Sequence, residues 1–421
     1  MSSIKICFAI LFIYGILAQN SLGLSPVILI PGDGGSQLEA KLNKTSVVHY
    51  ICAKTSADYF NIWLNLELLV PFVIDCWVDN LKLEYDNVTR TTRNPAGVDV
   101  RVPGWGTPEP VEWLDPSHEK SGVYFNTIAD ALVKIGYVRN VSIRGAPYDF
   151  RRAPNENAEF FVKLKTLVED TYNINNKTSV TLLVHSMGGS MALHFLQLQT
   201  QAWKDQYIRR LLSLSTPWAG AVKALKTFAI GDDLGSRVLR ESVLRAQQIT
   251  CPSLAWLLPS PLFWKPQEVL VQTDKYNYTI NDLQKLFTDM NLPNAWEMRK
   301  DTDQFRTDFS APGVEVHCVY GYNISTVDRL VYSGGTWLDG YPVLSPGDGD
   351  GTVNVRSLSA CEHWAKRRQY GRYGGEGGDG GFRRTLNGKP VKSLPLPNAE
   401  HLTILHDPRV LDYITTVMQH P

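Results

Sequence analysis

Short apolar runs alternate along this chain with longer segments whose apolar residues recur at helical spacing. The first run, 26–31, ends in Gly32-Asp33-Gly34-Gly35, which predicts a buried strand followed by a tight turn. Strands alternating with helices predict a mostly parallel sheet covered on both faces. The strand pattern recurs at 141–144, 179–184, 211–214 and 314–320, and the helical spacing is found at 124–135, 157–172 and 187–198.

Two stretches interrupt this alternation. A cysteine-bounded excursion runs from Cys52 to Cys76, and residues 219–311 are rich in Pro, Trp and helical segments, as expected of an inserted cap. A third segment, 371–381, is dense in glycine but lacks the Lys and Ser or Thr of a phosphate loop, so we interpret it as surface. The pattern predicts an α/β core with insertions.

Composition narrows the class of protein. Of 421 residues, 43% are hydrophobic and 20% are charged, which is typical of a globular chain. Lys plus Arg and Asp plus Glu both total 42, so the charge balance gives no indication of nucleic acid as a partner.

The N-terminus has the features of a signal peptide. Lys5 supplies the positive charge, 6–17 form the apolar run, and the small residues Ser21 and Gly23 suit cleavage before Leu24. The alternative is a membrane anchor, but so short a run does not span a bilayer. We therefore expect removal of residues 1–23.

Cysteines and sequons indicate the same route. Cys7 belongs to the predicted signal peptide, and the five remaining cysteines are most simply two disulfides and one free thiol in an oxidising compartment. Asparagines in N-glycosylation sequons recur along the chain, which predicts entry into the secretory pathway. They are Asn43, Asn87, Asn140, Asn176, Asn277 and Asn323.

A candidate nucleophile follows the apolar run at 179–184. Strand, then His185-Ser186-Met187-Gly188, then helix is the context of a nucleophile elbow, in which a strained turn lifts the serine hydroxyl above the sheet. The alternative is a serine that caps a helix. Val184 departs from the usual pattern, which has a smaller residue at that position.

A serine nucleophile needs a histidine base and a carboxylate, which in this fold follow in the order Ser, Asp or Glu, His. His401 lies near the C-terminus before a last predicted helix, where the base is expected; His317, His363 and His406 are weaker candidates. The base is therefore predicted to be His401.

The turn at Asp348-Gly-Asp350-Gly-Thr-Val predicts Asp350 as the orienting carboxylate, with Asp348 as the alternative. A calcium loop would need a Glu at its twelfth position, which is Ser359 here, so calcium is not expected. Acyl transfer also needs donors for an oxyanion. The backbone of Met187 and that of Asp33 in the first glycine turn are the predicted donors.

The cysteine-bounded excursion is unusually apolar for a loop, and Glu67, Pro71 and Asp75 interrupt it too often for it to span a membrane. Its apolar side chains either dip into a lipid interface or pack on the core; we predict the former. The residues in question are Trp63, Leu64, Leu66, Leu68, Leu69 and Phe72.

These segments together resemble the lecithin:cholesterol acyltransferase-like family over nearly the whole mature chain. Specific matching strings are Pro31-Gly-Asp33, Ile62-Trp-Leu-Asn-Leu-Glu-Leu-Leu69, Arg144-Gly-Ala-Pro-Tyr-Asp149, His185-Ser-Met-Gly188 and Gly347-Asp-Gly-Asp-Gly-Thr-Val-Asn354. The resemblance implies an α/β-hydrolase fold and a calcium-independent phospholipase A that also transfers acyl groups to lipid alcohols such as ceramide.

The resemblance also assigns residues. It implies a triad of Ser186, Asp350 and His401, an oxyanion hole at Asp33 and Met187, a membrane-binding first cysteine loop and a mobile lid after Trp218. It pairs Cys52 with Cys76 and Cys318 with Cys361, which leaves Cys251 free. The implied organisation is signal peptide (1–23), start of the core (24–42), membrane-binding subdomain (43–80), core (81–218), cap and lid (219–311) and C-terminal core (312–421).

The expected setting is the lysosome or the extracellular space. Partners would be phospholipid membranes or lipoprotein surfaces and lipid alcohol acceptors; neither metal nor cofactor is expected. Two alternatives stay open at this point: a secreted phosphatidylcholine-sterol acyltransferase, and a catalytically inactive lipid-binding protein. The intact serine, aspartate and histidine argue against the second.

Overall fold

A computed structural model describes residues 23–234, 240–305, 308–366, 383–384 and 388–419 of the chain. Residues 1–22 of the predicted signal peptide and the glycine-dense segment 371–381 lie outside the described residues. No helix in the described part is long and apolar enough to cross a membrane.

Within those residues the largest sheet has seven strands and is parallel except at one edge. The exception is Arg383–Arg384, which pairs antiparallel with its neighbour. The predicted α/β class is confirmed. In spatial order the strands are Arg383–Arg384, Pro390–Pro397, Glu315–Tyr322, Ile208–Leu214, Val180–His185, Val27–Ile30 and Ile143–Gly145.

Alternate residues of the central strands feed two cores on opposite faces of this sheet. Ile28 and Ile30 pack in one core, whereas Val27 and Leu29 pack in the other. Side chains of a strand point alternately to its two faces, so a strand with helices on both sides must be apolar throughout. The strand Val180–His185 meets this condition, since all six of its residues are buried.

Helices cover both faces of the sheet. The first core includes side chains of Ala158–Ile174 and Met187–Gln197, and the second those of Asn126–Lys134 and Pro408–Gln419. The other α-helices are Ile74–Leu81, Glu109–Glu112, Gln201–Tyr207, Val222–Ile230, Glu241–Gln248, Pro252–Trp256, Leu283–Asp289, Pro293–Asp303, Val355–Leu358 and His363–Lys366. Short 3-10 helices occupy Leu66–Leu69, Lys120–Gly122, Pro154–Glu156, Ile280–Asp282, Ser359–Glu362 and Thr403–His406.

In the described part of the chain, three smaller sheets lie outside the central one. A four-stranded sheet has the order Asn277–Thr279, Val269–Gln272, Ile324–Val331, Val343–Gly349. Its strands come from both sides of residue 311, so the predicted cap and the predicted C-terminal core share a sheet. The others are Phe60–Trp63 with Leu38–Leu42 and Val98–Arg101, and Glu84–Asp86 with Thr91–Arg93.

Four cysteines are bonded in the pairs that the family resemblance implies. Cys52 is joined to Cys76 and Cys318 to Cys361, while Cys251 is a buried free thiol. Two disulfides suit a protein of the secretory pathway. The six sequon asparagines are all exposed, as glycosylation would require, and their modification stays a prediction.

Candidate active site

Ser186 lies at the turn between the strand Val180–His185 and the helix Met187–Gln197. Its backbone has φ 52° and ψ −131°, a region that side-chain-bearing residues rarely occupy. The Ser186 N–H donates to the carbonyl oxygen of Leu214 at 2.9 Å, which anchors the turn to the next strand. This is the geometry of the predicted nucleophile elbow.

Glycines permit the close approach of three segments at this turn. A Cβ on Gly32 would lie 2.6 Å from the Ser186 Cβ, and one on Gly188 would lie 2.4 Å from the carbonyl oxygen of Pro31. Real Cβ atoms essentially never approach non-bonded atoms this closely, so both positions need glycine. Val184 is fully buried in the core, so the larger residue at that position is accommodated.

The structure brings Ser186, His401 and Asp350 into one hydrogen-bonded series. The His401 Nε2 lies 2.9 Å from the Ser186 Oγ, and its Nδ1 lies 2.7 Å from the Asp350 Oδ2. The other Asp350 oxygen accepts the N–H groups of Thr352 at 3.1 Å and Val353 at 2.8 Å. This is the arrangement in which a histidine can remove the serine proton.

Electrostatics favour an ionised Asp350. Burial opposes its ionisation, but the charge of His401, with hydrogen bonds from His401, Val353 and Thr352, outweighs that opposition. The pKa of the carboxyl therefore lies below its ordinary value, and a negative Asp350 can stabilise the imidazolium that forms when His401 takes a proton.

The rival residues lie elsewhere. Asp348 is exposed and accepts the N–H of Asn323 at 2.6 Å. His317 is held between Tyr413 and Glu315, each at 2.7 Å.

Two further histidines are also away from Ser186. His406 is bonded to Thr127 at 2.7 Å, and His363 is exposed. None of these rivals joins the series of Ser186, His401 and Asp350.

The turn Gly32–Gly35 passes beside the serine. Among the described residues, the N–H groups of Asp33 and Met187 donate to no protein acceptor, so both are able to donate to an oxyanion. The Asp33 side chain is accessible because it lines a cavity. The protein around the cavity still removes much of the water from the carboxyl group. This desolvation, together with the negative charge of Asp232, raises the pKa of Asp33 to about 7.

Ser186 and His401 open into a cavity of about 840 Å³. Most of its wall is apolar, and includes Phe150, Leu254 and Leu257. A cavity of this size and character suits an acyl chain better than a small polar substrate.

Charged side chains also line the cavity, and the sequence did not lead us to predict them. Lys223 and Asp232 both line it; Asp232 pairs with Lys223 at 3.3 Å and with Lys226 at 3.2 Å. Asp232 lies two residues after the end of the helix Val222–Ile230, which carries both lysines. This closeness of opposite charges in the sequence was the available signal.

The prediction that six apolar side chains of the excursion face lipid is wrong for two of them. Trp63 is 9% exposed and Leu69 is 7% exposed. The Trp63 Nε1–H donates to the Gly34 carbonyl at 2.7 Å, and its ring packs on Trp77 and Phe150. Trp63 therefore supports the loop beside Ser186 and is not available to a membrane.

The remaining excursion side chains differ in exposure. Leu64 and Leu68 are half-buried, whereas Leu66 is 45% and Phe72 75% exposed. Val70, which was not predicted, is 47% exposed. Leu66, Val70 and Phe72 form what we call the exposed rim.

The fold and the elbow with its histidine and aspartate define the class: a serine enzyme built on an α/β-hydrolase sheet. Residues 59–374 match the family model described as "Lecithin:cholesterol acyltransferase". The chain belongs to that family, as the resemblance predicted, and is an enzyme of acyl hydrolysis and acyl transfer.

Similar proteins within the family include examples under two names. The human protein "Lysosomal phospholipase A and acyltransferase" is 43% identical over 94% of this chain and 91% of its own length. The rat protein of the same name is 42% identical over 98% and 94%. A chicken "Phosphatidylcholine-sterol acyltransferase" is 41% identical over 82% of this chain and 83% of its own length.

Proposed function

We propose that this chain is a phospholipase A and O-acyltransferase that carries the acyl group as an ester on Ser186. The observation that carries the proposal is the hydrogen-bonded series of Ser186, His401 and Asp350, which opens into a large apolar cavity. The human and rat relatives named "Lysosomal phospholipase A and acyltransferase" support the same activity.

The first half-reaction forms the acyl-enzyme. The Ser186 oxygen attacks the ester carbonyl of the phospholipid while His401 Nε2 takes its proton, and Asp350 stabilises the imidazolium. The N–H groups of Asp33 and Met187 donate to the oxyanion. When the intermediate collapses, the bond to the lysophospholipid oxygen breaks and that oxygen takes the proton from His401.

The second half-reaction repeats these steps with an acceptor. Water gives a free fatty acid, and a lipid alcohol such as ceramide gives a new ester; in each case His401 takes the acceptor proton and returns it to Ser186. These steps need no metal ion, because His401 moves the protons and backbone donors stabilise the charge.

The exposed rim supports adsorption to a lipid surface. Leu66 and Val70 line the cavity as well as facing solvent, so the apolar cavity is continuous with an apolar surface. Burying such side chains in an interface would bring the cavity to the substrate. The chain has a formal net charge of zero, so apolar contact rather than charge would drive binding.

We further propose the lysosome or the extracellular space as the place of action. The disulfides Cys52–Cys76 and Cys318–Cys361 support an oxidising secretory route, and relatives are named for the lysosome.

Active-site labelling tests the nucleophile. A fluorophosphonate probe should label the wild-type enzyme, and peptide mapping should place the label on Ser186. Ser186→Ala should take no label and release no fatty acid from phosphatidylcholine liposomes. A wild-type protein that takes no label and releases no fatty acid would instead be a lipid-binding protein without this activity.

Product analysis separates the two kinds of acceptor. Liposomes of phosphatidylcholine would be supplied with either ceramide or cholesterol, and free fatty acid, acylceramide and cholesteryl ester measured together. We expect fatty acid and acylceramide. Cholesteryl ester as the main product would favour the sterol acyltransferase instead.

A further inference from the structure

Two buried side chains beneath the site, Tyr124 and His185, have no role in the reaction described above. Tyr124 is 3% exposed and His185 is 2% exposed. Buried polar groups are retained only when they find hydrogen-bond partners, because burying them unpaired is costly. The partners of these two side chains lie on the loops that carry the proposed catalytic groups.

The hydrogen bonds run without a break from one loop to the other. The Gly32 N–H donates to the Tyr124 hydroxyl oxygen at 3.0 Å. That hydroxyl is also bonded to the His185 Nδ1, and the His185 Nε2 lies 2.9 Å from the carbonyl oxygen of His401. We call Gly32, Tyr124, His185 and His401 the buried relay.

One arrangement of protons satisfies every bond of the buried relay. Nε2 must carry a hydrogen, since the His401 carbonyl can only accept. Burial, and next the charge of His401, lower the pKa of His185 to about 3, so the ring is neutral and Nδ1 must accept. The Tyr124 hydroxyl then donates to Nδ1 while it accepts from Gly32, and burial raises the pKa of Tyr124, which keeps this proton in place.

Both ends of the buried relay adjoin reacting groups. Gly32 precedes Asp33, the proposed oxyanion donor, and its backbone passes so close to Ser186 that a Cβ would lie 2.6 Å from the serine Cβ. The other end is the backbone of His401 itself, whose N–H donates to the Asp350 carbonyl at 2.9 Å.

We infer that Tyr124 and His185 are positioning residues, which fix the separation between the oxyanion loop at Gly32 and the base at His401. This inference rests on the proposed function and adds to it a buried support for the catalytic geometry. Misplacement of reacting groups by about 1 Å can cost about a hundredfold in rate, so a hydrogen-bonded spacer between two loops matters for kcat.

The test compares two buried tyrosines. Tyr124→Phe removes the central hydroxyl of the buried relay. Tyr137→Phe is the matched control, because the Tyr137 hydroxyl donates to the Ser25 carbonyl at 2.9 Å and is 2% exposed.

Folded protein would be quantified by thermal unfolding, and kcat and KM measured on a short soluble ester. We expect Tyr124→Phe to lower kcat by about ten- to a hundredfold with KM within about twofold, and Tyr137→Phe to leave both unchanged. Equal kcat per folded molecule in the two variants would overturn the inference.

A second pair of variants keeps the inference testable if Tyr124→Phe does not fold. His185→Gln retains an amide N–H that can donate to the His401 carbonyl, whereas His185→Leu has no donor. We expect the Gln variant to retain at least about fivefold more kcat than the Leu variant, a rescue that loss of packing alone does not predict. Equal kcat in the two would overturn the inference.

Fluorophosphonate labelling separates failure of the buried relay from failure of the proposed function. A wild-type enzyme labelled at Ser186, with variants of unchanged kcat, would reject the positioning role alone. A wild-type protein labelled at some other residue would reject the proposed nucleophile, and the positioning role with it.

Discussion

Two regions of this molecule have similarly apolar sequences and different surroundings. All six residues of the strand Val180–His185 are buried, and the turn after it is fixed by contacts with neighbouring strands. Along the excursion, buried side chains such as Trp63 are interspersed with exposed ones such as Phe72. Where both faces of an element are covered, an apolar run in the sequence predicts that all of its side chains are buried. Where only one face is covered, the same kind of run does not predict which side chains stay exposed.

The two regions are proposed to perform different tasks, the chemistry in one case and contact with lipid in the other. In the proposed function, Ser186 and its partners act on any ester that reaches them, whereas the exposed rim matters only when the substrate lies in a lipid surface. Substitutions at the first region should therefore affect all substrates alike. Substitutions at the rim should affect bilayer substrates alone. Trp63 belongs to the excursion by sequence and to the catalytic region by contact.

The largest effect is expected from Ser186→Ala. Removing the proposed nucleophile should lower kcat by at least about 10³-fold on soluble and bilayer substrates alike, as in other serine enzymes. Adsorption to phosphatidylcholine liposomes, measured by sedimentation, should be unchanged because the exposed rim is untouched. Acyl release close to that of the wild type would move the nucleophile elsewhere.

Trp63→Ala tests the assignment of Trp63 to the core. Loss of the buried indole and its hydrogen bond to Gly34 should lower the free energy of unfolding by about 3–5 kcal/mol. Activity on soluble and bilayer esters should fall together, because the loop beside Ser186 loses its support. Denaturant unfolding and both assays measure this; selective loss on bilayers would return Trp63 to the lipid surface.

Much of the site follows from local sequence. A buried strand followed by Ser186 and then by a helix predicts the sharp turn of a nucleophile elbow. Asp350 and His401 follow it in the chain order that the fold requires. Tertiary contacts account for what was missed. His185 reads simply as the last residue of a buried strand, and its partners Tyr124 and His401 are 61 and 216 residues away in the chain.

The excursion shows the complementary limit. Its helical and strand segments are short, so no repeating pattern indicates which face is covered. Trp63 is buried because its ring meets Trp77 and Phe150, and Phe150 lies far along the sequence. The shared sheet across residue 311 was hidden for the same reason, since pairing between distant strands leaves no local signal.

Phe72→Ser should separate adsorption from chemistry. Phe72 is 75% exposed, so its removal should leave the midpoint of thermal unfolding unchanged. Loss of one aromatic side chain from a lipid contact is worth about 1.5–3 kcal/mol, or about tenfold or more in partitioning. Turnover of liposomes should fall accordingly, and turnover of a short soluble ester should not.

Val162→Ser is the matched control for that measurement. Val162 is 69% exposed on the helix Ala158–Ile174, outside the excursion, and should not alter liposome binding. Equal loss of binding in both variants would mean that replacing any exposed apolar residue with serine weakens liposome binding. No loss in either would place the membrane contact outside Phe72.

The smallest effect is expected from the pH dependence of Asp33. Its pKa, raised to about 7 by burial and by Asp232, means that the folded protein prefers the neutral carboxyl. This contributes stability that is fully present below the unfolded value of about 3.9 and is lost as pH rises through about 7. Ionisation of Asp33 also places a negative charge beside the proposed oxyanion site, so activity should fall over the same range.

Asp33→Asn should remove this dependence, because the amide is neutral at every pH. Between pH 4.5 and 8.5, kcat/KM on a short soluble ester should match the wild type at the acid end. Above pH 7, the kcat/KM of Asp33→Asn should exceed that of the wild type severalfold. An interaction of about one pKa unit between the Asp33 charge and the oxyanion corresponds to at most about tenfold in rate. The proposed base His401 is common to both enzymes, so the ratio of the two pH profiles reports the ionisation of Asp33.

Asp348→Asn, which changes an exposed carboxylate, is the control and should keep the wild-type profile. Parallel profiles for the wild type and Asp33→Asn would show that the Asp33 charge does not reach the reacting atoms, and would leave its backbone N–H as its only contribution.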